Sequence, residues 1–302
     1  MGAEQQSRFD LELFEQLVDE YGSRPLREKP IRRDQKSQRE KAEARIQRIQ
    51  RELDRDFDGA IVLDLGCGHG WLPALLPELG GARRAIGVDP RRYETWSEHT
   101  DPRVELIEAD LSVDDVVEEG SVDCLISGAV LEHVSRPIEM LEAIHRVLTP
   151  GGRSWLYFNL YRGPSASHRY NEVPFPWPHL LFDDDVCRAY YKQELGRGNV
   201  PFAWVNRMTI GSYVQTVEEL GFRIVDVKRR VVPIDLGFYR RFEDPLGRYP
   251  ALDLETDFAT LVLEKGPKGR RRKERDPVPR RLGYVERQRA LEEAIAAERV
   301  EA

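Results

Sequence analysis

Ile61-Val62-Leu63-Asp64-Leu65-Gly66-Cys67-Gly68-His69-Gly70 decides the fold of this 302-residue chain. A short apolar run ends at an acidic residue, and glycine then occupies every second position. A buried parallel strand breaks in this way into a tight turn that opens a helix. Glycine lets bare backbone approach a ligand, because no Cβ stands between them. A second acid, Asp89, follows about 20 residues later, where such folds place a carboxylate on a ribose. The stretch therefore predicts a site for a nucleoside-containing cofactor.

Outward from this point strands and helices alternate. Strand Ala60–Leu65 leads to helix Trp71–Leu79, and strand Ala85–Val88 to a helix around Arg91–His99. Strand Val104–Glu108 ends at Ala109-Asp110. Strand Val122–Ser127 leads to helix Ile138–Leu148, and Gly151-Gly152 turn into strand Ser154–Asn159. Such alternation means βαβ units and a mostly parallel sheet. Upstream, Ser7–Tyr21 and Asp34–Arg55 read as helices, the second with a thin apolar stripe at Ala42, Ile46, Ile49 and Leu53. Residues 161–208 break the rhythm with prolines and aromatics and read as an inserted lid. Helix Thr209–Leu220, strand Arg223–Lys228 and a last strand Phe258–Glu264 restore it. A Gly/Pro/Arg/Lys-rich stretch and a charged helix near Glu286–Glu298 end the chain.

The bulk numbers describe a globular protein with a charged surface: 40% hydrophobic, 33% charged, net charge −7. That sign disfavours nucleic acid as partner of the whole molecule. Three scattered cysteines give neither a disulfide framework nor a thiolate zinc site, and fit a reducing, cytoplasmic setting. The N-terminus lacks a signal or myristoylation pattern, and no apolar run approaches the roughly 20 residues of a membrane span.

The glycine spacing separates the candidate cofactors. A dinucleotide fingerprint would put its third glycine at Trp71, and no Lys-Ser/Thr follows as in a P-loop. Asp64-x-Gly66-x-Gly68-x-Gly70 instead resembles the first motif of the class I S-adenosylmethionine-dependent methyltransferases. The likeness runs from roughly Ala60 to Lys265 with its motifs in order. Gly87-Val88-Asp89 resembles the end of strand two, whose acid takes both ribose hydroxyls. Glu108-Ala109-Asp110-Leu111 resembles the turn that meets the adenine amino group. Asp123 to Val134 resembles strand four with its following turn, and Leu148-Thr149-Pro150-Gly151-Gly152 the turn into strand five. The resemblance implies a Rossmann-like, doubly wound α/β fold. Its seven-stranded sheet is mostly parallel with an antiparallel last strand, preceded here by N-terminal helices and carrying the lid. The domains expected are a helical cap (1–58), a methyltransferase domain (59–265) and a basic, mobile tail with a charged helix (266–302). The implied S-adenosylmethionine contacts are Asp64, Gly66, Cys67, Gly68, Gly70, Asp89, Pro90, Asp110, Leu111, Ser127 and Gly128. Relatives often carry an acidic or bulky residue at Gly128 and Ala129, so small residues there leave more room beside the sulfonium.

Methyl transfer to a hydroxyl needs alignment and removal of a proton, a task suited to histidine. His168 and His179 lie in the lid, where an acceptor enters, and His133 follows strand four. These three are the general-base candidates; the resemblance also allows the Glu132-His133 pair an architectural role. The lid aromatics read either as an acceptor wall or as the lid's own core. Asp183-Asp184-Asp185 reads as a helix start, and no metal is expected. The run Lys265 to Lys273 is basic without interleaved aromatics and reads as a solvated extension, not a nucleic-acid arm. The function expected is methylation of a small molecule at a hydroxyl, on a sugar, glycan precursor or secondary metabolite. The alternatives are an RNA or protein methyltransferase docking through the tail, and a cofactor-binding protein without catalysis. The sequence does not fix the oligomeric state.

Overall fold

Near-continuous apolar runs bury central strands on both faces, and two such strands anchor the sheet. β1 (Ile61–Leu65) and β2 (Arg84–Asp89) are covered along almost their whole length. In the computed structural model the structure describes residues 9–22, 35–266 and 278–301. The other strands are β3 (Val104–Glu108), β4 (Val122–Gly128), β5 (Leu148–Asn159), β6 (Phe222–Val231) and β7 (Thr256–Lys265). They form one seven-stranded sheet in the order β3-β2-β1-β4-β5-β7-β6. Pairs from β3 through β5 are parallel, and β7 runs antiparallel to both β5 and β6. This is the expected Rossmann-like sheet. The strand order reverses between β1 and β4, and ligands of open α/β sheets bind in the crevice there.

Helices cover both faces. α1 (Leu11–Tyr21) and α2 (Gln35–Leu53) precede the sheet, and α3 (Trp71–Leu79) follows β1. The α2 stripe Ala42, Ile46, Ile49 and Leu53 is buried against Leu72 and Leu76 of α3 and against Val62, Ile126 and Trp155 of the sheet. The opposite face is covered by α4 (Pro137–Val147), through Leu141 and Ile144. No described helix is long and apolar enough to cross a membrane.

Four local expectations change. The first helix begins at Leu11, because the Asp10 carboxylate caps it by accepting from the Leu13 amide; Ser7 lies outside the described residues. Residues 91–99 hold only a 3₁₀ turn, Glu94–Glu98. The Trp96 indole and the Thr95 hydroxyl donate to the carbonyls of Gly68 and His69, which draws the segment over the glycine turn. β5 starts earlier than expected, and a register shift opposite Val122–Cys124 absorbs the Gly151-Gly152 turn.

The lid is the fourth case. It contains α5 (Pro178–Leu181) and α6 (Asp184–Gln193), followed by α7 (Ile210–Glu219) back on the sheet. Most of its aromatics form a core, and that core is shared. Trp177, Phe182 and Tyr190 pack with Phe14 and Leu17 of α1 and with Phe238 of α8 (Leu236–Arg241). Two more short helices, α9 (Glu243–Leu246) and α10 (Ala251–Glu255), lie between α8 and β7.

The charged helix of the expected mobile tail is docked instead. α11 (Val278–Leu282) and α12 (Tyr284–Glu301) dock on the body. Leu291 and Ile295 are buried in the lid core, the Tyr284 hydroxyl donates to Asp253, and Arg287 pairs with buried Glu255. The basic run beyond Gly266, through Lys273, lies outside the described residues.

Candidate active site

Three positive φ angles shape the turn after β1: Gly66 at 76°, Gly68 at 52° and Gly70 at 77°. L side chains rarely adopt these values, and a Cβ on Gly66 would also overlap Val130. A Cβ on Gly68 would meet nothing within 4 Å, so the turn presents open backbone at its centre. The turn is pinned from below, where the Gly66 and Cys67 amides donate to the Val88 carbonyl. Cys67 is half-buried, and burial drives its thiol far above the usual range, so it offers no thiolate.

Asp89, at the end of β2, joins the turn to the ribose position. One carboxylate oxygen accepts from the Gly68 amide at 2.9 Å, and the other from the Arg91 amide at 3.0 Å. A carboxylate has about four acceptor sites, so two remain for vicinal hydroxyls. Pro90 beside it is exposed. The Ala109 amide donates to the Asp89 carbonyl, which brings the next turn alongside. There Asp110 accepts from the amide and hydroxyl of Ser112 through a single oxygen, and Leu111 is buried beneath.

Asp64 ends in the crevice at 3% exposure. Burial lifts its carboxyl to about 7, opposed by the Arg45 cation and reinforced by Asp89. Arg45 is the residue that sequence reasoning missed. It projects from α2 over Gly128 at the end of β4, where a Cβ would overlap its guanidinium. The room expected beside the sulfonium at Gly128 therefore holds an arginine. Ser127 is buried and its hydroxyl donates to the Leu65 carbonyl at 3.2 Å, which ties β4 to β1. Its role is to join these strands as well as to line the crevice.

These groups fit S-adenosylmethionine. The methionine end of that cofactor carries one ammonium and one carboxylate, and Asp64 with Arg45 supply the two opposite charges. The ribose diol suits Asp89, and the open Gly68 backbone leaves space between them.

Beyond β4 the chain makes a 3₁₀ turn, Leu131–His133, and here two distant segments meet. Glu132, His133 and His168 each present a ligand atom, and these atoms lie within 4.8 Å of one another. The His133 and His168 rings are edge to face with centroids 5.0 Å apart. Burial raises the Glu132 carboxyl and lowers the His168 imidazole. His179 lies apart from this pair. Its Nε2 bonds the Tyr161 carbonyl at 2.6 Å, and burial pushes it down to about 4. An imidazole of that pKa is a weak base at neutral pH. It lines a cavity of about 740 Å³ together with Tyr161, Asp184, Trp204, Arg207 and Tyr249. The Trp204 carbonyl joins this cavity to the histidine pair, since it lies 3.0 Å from His133 Nδ1. Asp183 stands at the N-cap position of α6, with no side-chain capping bond.

Comparison with known proteins places this geometry. Residues 36–227 match the model of a methyltransferase domain. The ubiquinone biosynthesis O-methyltransferase of Xanthomonas oryzae pv. oryzae is 36% identical over 118 residues, 37% of this chain and 47% of that protein. The chain thus spans about half the length of the curated relatives it matches. A Listeria monocytogenes structure, provisionally assigned as an S-adenosylmethionine dependent methyltransferase, superposes with TM-score 0.50 at 20% identity over 74% of this chain and 98% of that one. An S-adenosylmethionine dependent methyltransferase from Mesorhizobium loti gives TM-score 0.49 at 20% identity, covering 72% and 96%. The chain belongs to the methyltransferase-domain family.

Proposed function

We propose that the protein transfers the methyl group of S-adenosylmethionine to a hydroxyl of a small molecule bound between the crevice and the lid. The observation that carries the reading is Asp89, anchored by two backbone amides with acceptor capacity left over, beside the open Gly68 backbone. S-adenosylmethionine, when bound, supplies an electrophilic methyl on a sulfonium with a neutral thioether as leaving group. The chain orients that donor: Asp89 takes the ribose, Asp110 the adenine, and Asp64 with Arg45 the methionine end. Gly66, Gly68, Gly70 and Gly128 bring backbone close to it.

On the acceptor side, a cavity of about 740 Å³ suits a small molecule. Glu132, His133 and His168 are the polar groups at the carboxyl end of β4, next to the donor crevice. They hold the acceptor oxygen, and one imidazole accepts its proton as the oxygen–methyl bond forms and the carbon–sulfur bond breaks. His179 serves packing, since burial opposes proton uptake and outweighs the Tyr161 carbonyl, which favours it. The O-methyltransferase name of the Xanthomonas relative supports a hydroxyl acceptor; a sugar or glycan precursor has no such support. Three free cysteines suit a cytoplasmic setting.

The test is incubation with methyl-labelled S-adenosylmethionine and a panel of phenols, catechols and alcohols, with bulk RNA and protein alongside. Label in an ether product supports the reading. Label confined to RNA or protein overturns it.

A further inference from the structure

We infer that Glu132, His133 and His168 form a binding site for one divalent transition-metal cation of the zinc class. Both Glu132 carboxylate oxygens are buried without a hydrogen-bond partner, and the residue is 1% exposed. Leaving a buried carboxyl group unpaired is costly. His168 Nε2 is likewise buried and unpartnered. Two unsatisfied donor groups that face each other across less than 4.8 Å point to a shared cation.

The third donor is oriented by the fold. His133 Nδ1 lies 3.0 Å from the Trp204 carbonyl, and a carbonyl only accepts. Nδ1 therefore carries the proton, and Nε2 keeps its lone pair free. A backbone carbonyl that fixes the tautomer in this way is the usual support of a metal-bound histidine. His168 is set by its own turn, with its amide donating to the Ser165 carbonyl at 3.0 Å. Ser165 is in turn held by Asp257, whose side chain also accepts from Asn159 at 3.3 Å.

The donor set selects the ion. Two imidazoles and one carboxylate suit zinc, iron(II) or cobalt(II), whereas magnesium and calcium prefer oxygen ligands. Three protein ligands about 2.1 Å from an ion stand ~3–3.5 Å apart, so side-chain rotation of roughly 1 Å closes the site. Such a triad leaves a coordination position open. On the function proposed above, that position takes the acceptor oxygen. The ion site itself does not depend on that reading.

The test uses the full chain stripped with chelator and titrated with Co²⁺ alone, read by visible absorption and by competition with Zn²⁺. One saturable Co²⁺ per chain is expected, displaced by Zn²⁺ and untouched by millimolar Mg²⁺. His133→Ala, at an exposed position, and His168→Ala should each weaken Co²⁺ at least tenfold with unchanged circular dichroism; Glu132→Gln should do the same. Absence of a saturable site, or a site unaltered in His133→Ala and His168→Ala, overturns the inference. S-adenosylhomocysteine binding, measured on the same samples, keeps the two readings apart. Homocysteine-nucleoside binding without Co²⁺ binding overturns the ion site alone. Co²⁺ binding that the variants weaken supports it, even where the nucleoside fails to bind.

Discussion

Replacing Asp89 by Asn should weaken S-adenosylhomocysteine binding about a hundredfold, and the reason lies in the turn as much as in the sugar. Each carboxylate oxygen already accepts a different backbone amide, Gly68 on one side and Arg91 on the other. An asparagine amide has only one oxygen. Whichever way it faces, its NH₂ meets a backbone N–H, and one of the two anchors is lost. A hydrogen bond to a charged acceptor contributes about 1.5–3 kcal/mol, and the ribose contacts fall to neutral strength as well. We take about 3 kcal/mol for the part felt on binding, which is about a hundredfold in Kd. Asp110→Asn is the comparison. Both local bonds of Asp110 use one oxygen, so the amide keeps its turn, and only the adenine contact suffers. That variant should lose about tenfold. Isothermal titration calorimetry of wild type and both variants decides the matter. A change below threefold for Asp89→Asn, or an equal loss for Asp110→Asn, refutes the reasoning.

Three further outcomes follow from the same geometry. Arg45→Met should weaken S-adenosylhomocysteine about tenfold, and Gly128→Ala should do so by displacing Arg45; in the double variant the second effect should vanish, and additive losses in a double-mutant cycle would count against the contact. Asp64 is lifted by burial to about 7 from 3.8, so the folded state holds its proton more tightly than the unfolded chain. This contribution, at most about 4 kcal/mol, is complete below pH ~4 and fades as pH rises to ~7; urea midpoints of the ligand-free protein should drop from pH 5 to pH 8, and Asp64→Asn should flatten that slope. Deleting residues 266–302 removes buried Leu291 and Ile295 and one partner each of Asp253 and Glu255, so stability should fall by ~3 kcal/mol and Tm by at least about 5 °C; an unchanged Tm contradicts the docking of α12.

The docked tail also changes what a truncation can decide. Loss of activity on removing α12 would not by itself identify an RNA- or protein-docking arm, since α12 completes the lid core. The basic run is better probed by neutralising its arginines in the full chain.

The glycine turn and the acid that anchors it were readable from sequence because their signals are local. The strand period, the alternating glycines and Asp89 lie within one βαβ unit, and backbone sterics dictate what they do. The antiparallel last strand was implied by the family resemblance, and β7 does run antiparallel to its neighbours β5 and β6. Arg45 was hidden because a charged helix face reads as solvated surface; only the packing of Ile46 and Ile49 turns it toward Gly128. The Glu132–His133–His168 cluster was hidden for a similar reason. His168 reaches β4 through the path of the lid, which no periodicity encodes. The segment around Trp96 shows the reverse error. Its composition allows a helix, and the hydrogen bonds of Trp96 and Thr95 to the glycine turn override it. In α12 only two apolar residues among those described, Leu291 and Ile295, are buried, too thin a stripe among many charges to announce a buried face.

The account stands on where the donor sits. A crystal structure with S-adenosylhomocysteine tests this most directly: both ribose hydroxyls should donate to Asp89, with the methionine end over Gly66 and Gly68 between Asp64 and Arg45. A homocysteine-nucleoside found elsewhere, or an Asp89 carboxylate without a sugar contact, would contradict it.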